Sequence, residues 1–72
     1  MNQDQLEGKW KELKGSVKEK WGKLTNDHLD EINGKQEKLI GRIQHEYGVS
    51  KEEAQNQVKL FMDDLSKNKT HW

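Results

Sequence analysis

Between Leu6 and Leu24 the apolar residues are Leu6, Trp10, Leu13, Val17, Trp21 and Leu24, with gaps of 4, 3, 4, 4 and 3. At about 100° per residue they line a stripe roughly 80° wide along an α-helix. A half-buried strand would instead alternate every second residue. The chain has no proline, so no position forbids helix on that ground. Glu7 with Lys11, and Glu19 with Lys23, add i,i+4 ion pairs in the favourable order. One amphipathic helix over residues 3–21 is the expectation.

The rest of the chain carries the same kind of signal. Gly22 suits a helix end. Thr25 or Asn26 can cap a short helix over 26–32, with Asp27 in its first turn and Leu29 and Ile32 on its apolar face. Asn33-Gly34 is a stop signal. A third helix over 35–47 carries Leu39, Ile40, Ile43 and Tyr47 and closes at Gly48. Ser50-x-x-Glu53 forms a capping box for a last helix over 51–66, whose apolar side holds Ala54, Val58, Phe61, Met62 and Leu65. Residues 67–72 read as a frayed tail, and Trp72 has no assigned partner.

A shift of 26 residues superposes Gly8–Gly22 on Gly34–Gly48, with five of 15 positions identical: Gly8/Gly34, Lys9/Lys35, Leu13/Leu39, Gly15/Gly41 and Gly22/Gly48. Val17/Ile43 and Trp21/Tyr47 are conservative pairs, and Ile32 falls on Val58. Chance gives about one identity, so the chain reads as a duplicated helical unit. The implied architecture is all-α, one domain over residues 1–72: four helices in two hairpins, the first helix with the second and the third with the fourth, on one shared core. That core is expected to hold Trp10, Leu13, Val17, Trp21, Leu29, Ile32, Leu39, Ile43, Tyr47, Val58, Phe61 and Leu65. Gly8, Gly15 and Gly22 lie opposite the apolar stripe. Three readings stay open for them: exposed residues left by the duplication, a shallow groove for close backbone approach, or a helix weakened enough to order only with a partner.

Composition narrows the function. Of 72 residues, 36% are charged and 29% apolar, and 13 basic residues balance 13 acidic ones. A net charge of zero removes the global basic field expected of a duplex nucleic-acid binder. With no cysteine, there is no disulfide, thiolate nucleophile or zinc–cysteine site. No signal pattern opens the chain and no apolar run approaches the roughly 18 residues that span a bilayer. The expectation is a cytoplasmic protein with a modest core, and a monomer.

No constellation points to catalysis. His28, His45 and His71 have no second histidine at i+3 or i+4, and His28-x-x-Glu31 alone is too few ligands for a metal. Asp30-Glu31, Glu52-Glu53 and Asp63-Asp64 are adjacent carboxylates, which point about 100° apart on a helix and share no site. Neither Ser16 nor Ser50 sits in a nucleophile elbow, and the glycine spacing matches no phosphate-binding loop. No catalytic residue, metal site, cofactor or small-molecule substrate is therefore expected. The one candidate binding face is Lys11, Lys14 and Lys18 on the first helix. It offers nucleic acid or an acidic protein only a small counterion-release gain.

The run "GKWKELKG" followed by "WGKLT" resembles the CsbD-like family of small bacterial general-stress proteins, and in particular its YjbJ-type members. The residues that carry the resemblance are Asn2, Asp4, Gly8, Trp10, Lys11, Lys14, Gly15, Lys18, Trp21, Gly22, Leu24 and Thr25. Asp27, Ile32, Gly34, Leu39, Gly41, Ile43, Tyr47 and Gly48 continue it, so that it covers residues 1–60. His28 stands where such relatives often carry an acid. The resemblance implies four helices in two roughly orthogonal, SAM-like hairpins and induction by stress. It supplies no catalytic or cofactor-binding residues to carry over. The function it implies is that of a non-enzymatic, hydrophilic protective protein, with a lysine-faced binding module as the alternative.

Overall fold

The computed structural model describes residues 3–69, which form five α-helices and no strand. They are α1 Gln3–Gly8, α2 Trp10–Lys20, α3 Asn26–Ile32, α4 Gln36–Tyr47 and α5 Lys51–Lys69. The expected first helix is therefore two. The break falls at Lys9, with φ −107° and ψ 11°, immediately after Gly8, where helix preference is weakest. It is a tightening more than an interruption: Lys9 N–H still donates to Gln5, and the Lys9 carbonyl accepts from both Glu12 and Leu13 at 2.9 Å. The apolar stripe crosses the break intact, with Leu6 and Trp10 both buried.

The turns follow local chemistry. Thr25 is the N-cap of α3. Asn33, in the left-handed region at φ 47°, is its C-cap, and Gly34 continues at φ 81°. Gly48 ends α4 with φ 65° and donates its N–H to Gln44. Glu53 N–H donates to Ser50 Oγ at 3.1 Å ahead of α5, the first half of the expected box, while its carboxylate accepts from Gln57. The α5 backbone continues to Lys69, three residues past the expected end. Trp72 lies outside the described residues.

α2 packs on α3, α3 on α4 and α4 on α5. Their apolar faces, with Leu6 from α1, enclose one core: Leu6, Trp10, Leu13, Val17, Trp21, Leu24, Leu29, Ile32, Leu39, Ile40, Ile43, Ala54, Val58, Phe61 and Met62. Leu6, Leu24, Ile40, Ala54 and Met62 extend the expected set. Tyr47 and Leu65, expected inside, are only partly buried. Tyr47 sits at the edge because its hydroxyl accepts from Lys23 N–H at 3.0 Å and its ring lies under the Lys23 ammonium. Leu65 lies on the stretch of α5 that outruns α4, since 19 residues rise further than 12.

Polar ties cross-link the core. Trp10 Nε1 donates to the Leu29 carbonyl at 3.1 Å, joining α2 to α3. Trp21 Nε1 donates to Gln57 Oε1 at 2.9 Å, and its ring meets Phe61 edge to face at 5.1 Å, joining the end of α2 to α5. Each indole thereby brings its polar atom to a partner while its large apolar face stays inside.

Candidate functional site

Lys11 and Lys18 are exposed on α2, and neither has an ion-pair partner among the described residues. Lys14, between them, is half-buried and ion-paired with Asp30 of α3. Its ammonium serves the α2–α3 contact. The carboxylate pair Asp30-Glu31 divides as its spacing requires: Asp30 turns to Lys14, and Glu31 accepts from Arg42 on α4 at 3.2 Å.

Arg42 is the centre of a charged cluster on the α3–α4 side. Besides Glu31 it reaches Glu46 one turn along at 3.6 Å, and His45 Nδ1 lies 2.7 Å from the same Glu46 oxygen. These neighbours hold the Glu46 carboxyl below its ordinary range. The His45 hydrogen bond is the largest influence, ahead of the charges of His28, His45 and Arg42, while partial burial pulls the other way. Beside the cluster runs an open groove lined by Glu31, Ile32, Lys38, Gly41, Arg42 and His45. A second open groove on the other side of Gly41 is lined by Glu37, Ile40, Gln44, Lys51 and Gln55. Both present mixed charge, with each sign close to the other, so neither offers a one-signed field for a charged ligand.

The histidines divide. His45 is exposed and bonds to Glu46. His28 belongs to the N-terminus of α3: its N–H donates to Thr25 Oγ1 at 3.1 Å, and its Nδ1 accepts from Thr25 N–H at 3.2 Å. Sequence reasoning offered Thr25 or Asn26 as the cap, of which the structure uses Thr25, and missed this partner, because the residue three positions on is a histidine in place of the usual glutamate or glutamine. Among the described residues, no three His, Cys, Asp or Glu side chains gather to hold a metal ion. No described helix is long and apolar enough to cross a membrane.

The geometry thus defines a class: a small all-helical protein with an apolar core, polar ties at its seams and a densely charged surface. The chain belongs to the CsbD-like family, whose model matches residues 4–56. A UPF0337 protein of Protochlamydia amoebophila is 57% identical over 63 residues, covering 88% of this chain and 96% of the relative. A UPF0337 protein of Pectobacterium atrosepticum is 51% identical over 72 residues, the full length of both. The UPF0337 protein YjbJ of Escherichia coli K12 is 44% identical over 72 residues, again the full length of both. No solved structure gives a significant match.

Proposed function

We propose that the chain is a non-enzymatic stress protein that acts through its hydrated surface, shielding other proteins from aggregation when water is withdrawn. The observation that carries this reading is the separation of polar from apolar groups. The buried set contains no polar or charged residue, and Leu60 is the one large apolar side chain that stands exposed among the described residues. Charges of both signs cover the outside and sum to zero. Such a surface holds water and resists association through apolar patches. The membership in a CsbD-like family, with its association with stress, supports the same reading. The protein acts as a cytoplasmic monomer without cofactor or small-molecule substrate.

The test is recovery of an aggregation-prone enzyme after drying or freezing, with this chain or with an equal mass of an inert protein. Greater recovered activity with this chain is expected. Equal recovery sinks the reading.

A second reading keeps Lys11, Lys14 and Lys18 as a face for nucleic acid or an acidic protein. The exposure of Lys11 and Lys18 favours it, although Lys14 would first leave Asp30. Retardation of DNA or RNA at about 50 mM salt, lost when the three lysines become glutamates, is its signature.

The fold itself is proposed to descend from duplication of one helical unit, arranged as two SAM-like hairpins. Leu13 and Leu39, and Val17 and Ile43, are buried in pairs, and Gly15 and Gly41 are both exposed within helices. The glycine pairs Gly8/Gly34 and Gly22/Gly48 have diverged, since only the second member of each has positive φ.

A further inference from the structure

The box at the start of α3 ties a helix end to the charge state of one imidazole. Thr25 N–H donates to His28 Nδ1 only while that nitrogen keeps its lone pair, because an imidazolium has two donors and no acceptor. A glutamate or glutamine in the same place would accept at neutral and mildly acid pH alike. We infer that His28 makes the first turn of α3 a proton-operated latch, closed by the neutral ring and opened by protonation at Nδ1.

Two consequences of protonation act in the same direction. The new Nδ1–H faces the Thr25 N–H, donor against donor. A positive charge also enters the first turn of α3, where the aligned peptide dipoles disfavour it. α3 has seven residues, too short to stand without its ends and its packing. Its Leu29 carbonyl receives the Trp10 indole, and Leu29 and Ile32 are buried. Loosening the first turn therefore reaches α2 and the core.

Charged groups approach this end of α3 from each neighbour. α4 brings Glu46, whose carboxylate already carries Arg42 at 3.6 Å and His45 at 2.7 Å. α2 brings Lys14, held on Asp30. The linker brings Lys23, over the Tyr47 ring, and α3 itself carries Asp27, Asp30 and Glu31. Glu46 is the group across the α3–α4 contact that favours the imidazolium, and one of its oxygens is engaged by both Arg42 and His45. The conflict of donors at Thr25 sets the direction.

The experiment compares the wild type with H28Q, whose amide oxygen accepts at every pH. Urea unfolding and amide-exchange protection of Thr25 and His28 are measured at about pH 7.5 and about pH 5.5, on either side of the imidazole range. The wild-type ratio of folded to unfolded chain is expected to fall about threefold to tenfold more than that of H28Q, with Thr25 losing protection first. Parallel pH profiles overturn the inference. So does a wild type that gains stability on acidification, which would mean that the attraction of Glu46 prevails. Imidazole nitrogen NMR on the unaltered chain needs no folded variant: Nδ1 protonated with the Thr25 amide still protected also overturns it.

Discussion

A Cβ built on Gly34 would stand 2.6 Å from Glu7 Cα, whereas one built on Gly15 or Gly41 would meet nothing within 4 Å. These glycines share one sequence pattern and obey different physics. Gly34 combines φ 81° with a close backbone approach of α1, and the Lys35–Glu7 ion pair at 3.6 Å spans the same contact. Gly15 and Gly41 lie inside helices, on open surface, where glycine gives up helix stability without a steric reason. Replacing either by alanine is expected to raise stability by about 0.5–1 kcal/mol, read by thermal or urea unfolding. Gly34→Ala is expected to lower it by at least about 1–2 kcal/mol, because the side chain meets both left-handed strain and the α1 backbone. A destabilised Gly41→Ala would show that α4 needs that glycine for its own packing.

At the scale of the element, helix ends and seams carry the information that periodicity lacks. The Leu29 carbonyl near the end of α3 accepts from both Asn33 N–H and the Trp10 indole. Trp10→Phe deletes the indole donor and leaves a small cavity where the larger ring packed in the core. It is expected to lower stability by about 1–3 kcal/mol, mostly from the lost packing, since Asn33 still pairs with the carbonyl. Faster amide exchange should appear in α3 before α5. Equal exchange in both helices would mean that the indole bond does not hold α3 in particular. The split between α1 and α2 belongs to this scale too. Stripe positions run unbroken through Lys9 in the sequence, and only a backbone dihedral reveals the change of path.

The whole molecule has a radius of gyration of 11.5 Å, close to the roughly 11 Å that a compact chain of this length adopts. Stability at this size is a small remainder between large terms, so surface ionisation can move it. The Glu46 carboxyl, held below its ordinary range first by the His45 bond, stabilises the folded state while it is ionised. That contribution is present above the ordinary glutamate range and is lost as pH falls through the lowered value. E46Q is therefore expected to unfold with a shallower dependence on pH between about 5 and 3 than the wild type, as followed by tryptophan fluorescence. Identical acid limbs would show that the cluster does not contribute. This window lies below the imidazole range, which separates it from the behaviour of His28.

The sequence by itself determined that the chain is helical, where most of its helices stop, and which stripe faces inward. Those are properties of short-range backbone geometry: a 3.6-residue period, a cap, an Asn-Gly stop. Tertiary structure decided the rest, because the deciding partners are distant along the chain. Trp10 meets Leu29, 19 residues away, and Trp21 meets Gln57, 36 residues away. Only that folding turns Gly34 into a contact with α1, moves Tyr47 to the rim and draws Lys14 onto Asp30. Even the His28 latch, local in sequence, required coordinates, since a ring nitrogen accepting from a backbone N–H is a matter of orientation and not of spacing.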